Sequence, residues 1–208
     1  MFRVSAPSAA SRSWTGQVQQ QTSIWLGLPA ADPSNPDWTR MKVTDYLLGG
    51  AFGSRITANI REDKGYTYSP GSFFITERKS AVWVEAADVT TGVTGPSLTE
   101  IFKEIDRVRH ELPPDAELRG IETSLAGDFI IRNSSRFGVI RQLQFVDQHG
   151  LDAEYLSSYV KNLMAVTPED VRATAQKYLA PERLSIAIVG DKKTVEPQLT
   201  KLKLVPSS

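Results

Sequence analysis

Residues 49–72 read GGAFGSRITANIREDKGYTYSPGS. Gly49, Gly50 and Gly53 surround a single Phe52, and a charged stretch then runs through Gly65 into Tyr66-Thr67-Tyr68. A glycine-rich turn that opens a helix can cradle a phosphate. The same glycines can instead break and pack a helix so that chosen side chains arrive at one place. The phosphate reading is disfavoured: the pattern G-x-x-x-x-G-K-[ST] lacks its lysine here, and the turn follows a predicted helix where phosphate loops follow a strand. Ser54 is expected to cap a helix over residues 54–64, which Gly65 ends in a left-handed conformation. On that helix Arg55, Asn59 and Glu62 share one face and Ile56 and Ile60 another, with Arg61 in the last turn. Tyr66 and Tyr68 are expected to project to the same side of the extended segment that follows. A guanidinium and a phenol can thus converge. By themselves, Arg61 and Tyr68 are better read as a helix cap and the filling of a core edge.

Outward from this stretch, two kinds of periodicity alternate. Ile24, Leu26 and Leu28 alternate with Ser23, Trp25 and Gly27, predicting a strand over 23–28. Strands are likewise expected over 73–76, over 81–87 (Val82, Val84 and Ala86 on one face, Trp83 and Glu85 on the other) and over 184–189. Helical spacing covers 38–48 and, through Leu98, Ile101, Phe102, Ile105 and Val108, the region after residue 94. Further helices are expected within 112–133, 134–150, 152–166 and 167–180, the last with Thr167 as cap, Pro168 at its first position and Glu169-Asp170 in its first turn. Four strands interleaved with runs of helices predict an α+β fold. It is a two-layer sandwich with a mixed, mostly antiparallel sheet and helices packed mainly on one face. Residues 1–15 read as a flexible Ser/Ala/Pro linker, and 16–208 as one domain.

Composition excludes much of the available chemistry. Among the 208 residues there is no cysteine, so thiolate metal sites, disulfides and cysteine nucleophiles are out. Twenty-four basic residues balance twenty-four acidic ones, which gives no electrostatic footprint for nucleic acid or an anionic membrane. No apolar run reaches membrane-spanning length. The two histidines, His110 and His149, fall near predicted helix C-termini. HELPP at 110–114 starts like H-E-x-x-H, but Pro114 stands where the second ligand belongs. H-x-x-E-H and G-x-S-x-G are both absent. No metal ligand set can be named in this chain.

QTSIWLGLP (21–29), YLLGGAFGSRITANIREDKGYTYSPGS (46–72) and the closing LSIAIVGD (184–191) together resemble the insulinase/pitrilysin family of zinc metallopeptidases, which includes the mitochondrial processing peptidases. The resemblance is to the C-terminal, inactive domain of that family's repeated unit. It implies a chamber of two homologous halves, one carrying H-x-x-E-H and the zinc. The other half supplies an Arg and a Tyr seven residues apart, which contact the substrate backbone. Arg61 and Tyr68 match that pair in identity and spacing, and the zinc motif has no match. On this resemblance Tyr68 would stabilise the oxyanion in trans and Arg61 would hold a substrate carbonyl. Gly49, Gly50, Ser54, Arg55 and Gly65 would be structural. The implied partners are a homologous zinc-bearing domain or chain and a peptide substrate, with zinc in that partner half and no cofactor here. The alternatives are a non-proteolytic structural subunit of the same family and, less favoured, an anion- or nucleotide-binding module. The compartment stays open between bacterial periplasm and cytoplasm.

Overall fold

A computed structural model describes residues 20–152 and 154–202, with the backbone of 3–5 and 206–207. Most of the linker expected over 1–15 lies outside the described residues. Among the described residues six strands order as β3-β4-β2-β5-β1-β6. They are β1 (Arg3–Ser5), β2 (Gln21–Ala30), β3 (Gly71–Glu77), β4 (Ser80–Thr90), β5 (Ser185–Val189) and β6 (Pro206–Ser207). The four long ones form one antiparallel sheet, while β1 pairs in parallel with β5 and β6. Among the described residues the α-helices are α1 (Trp38–Asp45), α2 (Thr94–His110), α3 (Asp115–Asn133), α4 (Arg136–His149), α5 (Tyr155–Leu163), α6 (Pro168–Tyr178) and α7 (Lys192–Lys201).

The strand alternation decides which face is covered. Ile24, Leu26 and Leu28 are buried on the helix side, opposite Ala87, Glu85 and Trp83 of β4. Leu98, Ile101, Ile105 and Val108 of α2 close the same core. On the other face Trp25, Ile75, Val82 and Val189 stay exposed, so the helices pack on one side of the sheet. Thr167 and Asp170 form a reciprocal capping box on α6, each side chain accepting from the other's backbone N–H at 3.1 Å.

Three local readings need correction. The helix over 38–48 ends as α1 at Asp45 and continues as a π-type turn, Tyr46–Gly50. The helix over 54–64 is mostly π-type, Thr57–Asp63. The terminal helix α7 was not expected. Pro197 interrupts its pattern, but Asp191 caps it by accepting from the Thr194 N–H at 3.0 Å.

Candidate functional site

The glycines at 49 and 50 have different reasons to be glycine from those at 53 and 65. A Cβ on Gly49 would lie 2.6 Å from Ser72 Oγ and 2.7 Å from Glu85 Oε2, and one on Gly50 would lie 2.9 Å from Asp45 Oδ2. Only bare backbone lets the end of this π-type turn lie against β3 and β4. Gly53 and Gly65 have open space around a Cβ. Gly65 is needed for its conformation, φ +63°.

Between them, the segment is bolted to two helices. Arg55, buried, grips Glu117 of α3 with two parallel bonds of 2.8 Å from Nε and Nη2. That ion pair holds the guanidinium above even the usual arginine range. Asn59 Nδ2 donates to Glu100 at 2.9 Å and to Glu104 at 2.7 Å, both on α2. The acceptance from Asn59 lowers the Glu100 carboxyl. Ser54, 1% exposed, sends its hydroxyl to Thr57 Oγ1 at 3.0 Å in place of a backbone cap.

Of the face expected for Arg55, Asn59 and Glu62, the buried pair Arg55 and Asn59 meets acids of α3 and α2, and Glu62 lies apart. Each π-type bond spans five residues, as from Lys64 N–H to Asn59 O at 3.1 Å, and this wider turn rotates successive side chains off the α-helical positions. Arg55 therefore reaches α3, Asn59 reaches α2, and Glu62 stays at the surface beside Arg61.

At the exit, Gly65 N–H bonds Arg61 O at 3.1 Å and Tyr66 N–H bonds Ile60 O at 2.8 Å, a widened Schellman-like ending. Residues 66–68 then meet β4 through one isolated bridge, Thr67 opposite Val89, with Thr90 N–H donating to Tyr66 O at 3.0 Å and Thr67 Oγ1 donating to Asp88 O at 2.6 Å. Because this is one bridge and no regular strand, Tyr66 and Tyr68 do not share a side. Tyr66 packs against the core, and Tyr68 stands 79% exposed.

The structure brings Arg61 and Tyr68 together. The Arg61 guanidinium carbon sits 5.1 Å from the Tyr68 ring centroid and 4.5 Å from that of Phe52, itself 74% exposed. Arg61 is thus contacted by two aromatic rings at the surface, with Glu62 Oε1 3.1 Å from its Nε. Phe52 is the member that the reading of the sequence passed over. Its signal was present: a large aromatic between glycines, with no periodic apolar neighbours to bury it. The arrangement offers guanidinium N–H donors and a phenolic O–H to an incoming group, with an apolar ring beside them.

Neither histidine joins them. His110 Nδ1 lies 3.0 Å from Asp106 Oδ1 on α2, and His149 is buried against Phe145 with centroids 4.6 Å apart. Among the described residues no three His, Cys, Asp or Glu side chains converge as metal ligands, so the donors present do not fit a zinc ion. No helix among the described residues is long and apolar enough to cross a membrane.

Comparison with known proteins follows this geometry. The profile of the peptidase M16 inactive domain matches residues 8–125. An uncharacterized zinc protease of Streptomyces coelicolor is 22% identical over 182 residues, spanning 86% of this chain and 39% of that protein. The peptidase M16 inactive domain from Pseudomonas fluorescens superposes with a TM-score of 0.76 at 23% identity, over 91% of this chain and 43% of the other. The inactive peptidase domain from Bordetella parapertussis gives 0.71 at 12% identity, over 87% of this chain and 96% of its own. The chain therefore spans less than half the length of the first two.

Proposed function

The chain belongs to the peptidase M16 inactive-domain family, and from that premise we propose that it is the substrate-binding half of a two-part zinc peptidase. In this reading Arg61 and Tyr68 are presented to a zinc site on another domain or chain. The observation that carries it is the Arg61–Tyr68 contact at 5.1 Å with the tyrosine ring in solvent. A phenol that served only as a core edge would be buried, and a purely structural subunit has no need of a partly exposed guanidinium flanked by rings.

The roles divide by chemistry. The Arg61 guanidinium donates to a backbone carbonyl of the bound peptide, an interaction already made in the ground state. The Tyr68 O–H donates to the oxygen that gains charge as the scissile carbonyl becomes tetrahedral. Such a contact is complete only in the transition state. Neither group has a basicity suited to activating water, and the zinc that would supply that chemistry has no ligands here. Phe52 lies beside the donors, where it meets the side chain next to the gripped carbonyl.

The experiment is steady-state kinetics on the chain combined with its zinc-bearing half. Tyr68→Phe is expected to lower kcat about 100-fold or more with little change in KM, and Arg61→Ala to raise KM as well. If Tyr68→Phe leaves kcat untouched, the pair is structural.

A further inference from the structure

A second site lies away from the Arg61–Tyr68 pair. A cleft of about 410 Å³ opens between α1, α3, α4, α5 and the β3 edge, in the size range of small-molecule sites. Three cations line it: Lys42 from α1, Arg132 from α3 and Arg141 from α4. Among the described residues none of the three lies within ion-pair distance of a carboxylate. The acids nearby are already engaged. Asp45 accepts from Ser72 Oγ at 2.5 Å and Trp83 Nε1 at 2.8 Å, and Asp128 accepts from the Tyr46 hydroxyl.

The walls are aromatic. Phe129 stacks on Tyr159 at 4.3 Å, Trp38 packs on Phe74 at 4.9 Å, and Phe145 leans toward Tyr155 at 6.0 Å. Lys42 is half-buried among them. Burial pushes its ammonium below the usual lysine range, with Asp45 opposing and Arg132 reinforcing that shift. Three cations facing the cleft outweigh the two acids whose charge reaches Lys42, Asp45 and Asp128, and an anion placed between the cations offsets the excess. Two of the three are guanidiniums, whose forks suit a carboxylate or phosphate, and the rings suit a flat apolar body.

We propose that this cleft is a binding site for an anionic group carried on an aromatic body, held by Lys42, Arg132 and Arg141. Two sources share that chemistry: a free aromatic acid, and the C-terminal carboxylate of a peptide ending in an aromatic residue. None of the lining residues belongs to the Arg61–Tyr68 pair, so the site stands or falls independently of the function proposed above.

Titration calorimetry on the full chain tests it with three probes: N-acetylphenylalanine, its C-terminal amide, and a ten-residue peptide ending in phenylalanine as the free acid. The acid is expected to bind at least about tenfold more tightly than the amide, and to weaken as salt rises. The double variant Arg132→Gln/Arg141→Gln, altered at two exposed positions, should lose about tenfold in affinity with its melting temperature unchanged. A peptide that binds more tightly than the small acid identifies the peptide terminus as the source, and equal affinities identify the free acid. Equal binding of acid and amide overturns the site. So does full affinity in the double variant, or no heat from any probe at millimolar concentration.

Discussion

A carboxyl group at the centre of a sheet sets the residue-scale energetics. Glu85 is fully buried, and neither of its oxygens has a hydrogen-bond partner among the described residues. Burial, with Asp45 nearby, raises it well above the usual carboxylate range. Asp45 is pushed up to about 6 by burial, against the bonds from Ser72 and Trp83 and the charge of Lys42. Both shifts are upward, so the folded chain holds protons that the unfolded chain releases above about pH 4. The stability from these two groups is complete below their unfolded values and is lost as pH rises through about 6 and beyond. Glu85→Gln is therefore expected to be more stable than the parent at pH 8 by about 1–3 kcal/mol, with the difference shrinking toward pH 4.5. Urea denaturation at the two pH values measures it, and a gain equal at both would contradict the assignment. At the surface, Phe52→Ala removes one ring from Arg61. An exposed cation–π contact is worth about 0.5–1 kcal/mol, so a two- to fivefold loss of peptide affinity is expected by titration, with stability unchanged.

One element holds each of the two sites in place, and each has its own weak point. The π-type segment depends on Arg55, whose guanidinium bridges to the first turn of α3. Arg55→Ala removes two charge-assisted bonds. It is expected to destabilise by about 1.5–3 kcal/mol and to raise hydrogen exchange across residues 54–65. Arg55→Lys should recover less than half, because an ammonium cannot donate to both oxygens in one plane. The α3–α4 hairpin depends on Gly138, where a Cβ would fall 1.6 Å from Arg132 O. Gly138→Ala must pry the hairpin open, at about 1–3 kcal/mol. It would also displace Arg132 and Arg141, so its effect on the anion cleft should exceed that of either Arg→Gln substitution alone. Thermal denaturation and the calorimetric titration report the two effects separately.

For the whole molecule, the one-sided packing leaves a broad apolar sheet face in solvent, with Trp25 and Phe73 meeting edge to face at 6.3 Å. The ligand set of a zinc peptidase is not assembled among the described residues. The isolated chain is accordingly expected to leave an unstructured peptide uncleaved, even with added zinc. Hydrolysis should appear only on addition of the zinc-bearing half. Cleavage by the purified chain alone, removed by a chelator, would overturn the division of labour between halves.

The four long strands were legible in the residues because their signal is local: side chains alternate every second position, and Ile24, Leu26 and Leu28 land on the core face whatever surrounds them. The cap at Thr167 and the break at Gly65 were legible for the same reason, each resting on its own backbone conformation. The spacing of Arg61 and Tyr68 could be read directly, but their contact could not. It depends on a π-type turn, and the α-helical periodicity that grouped Arg55, Asn59 and Glu62 on one face carries no trace of it. Long-range partners decided the rest. Glu117 lies 62 positions from Arg55, and Glu104 lies 45 from Asn59. Lys42, Arg132 and Arg141 come from three different helices and surround one cleft only once those helices have packed. A pattern along the chain encodes which face of an element is apolar. Which charges that face will meet is settled by the contacts that burial forces between distant segments.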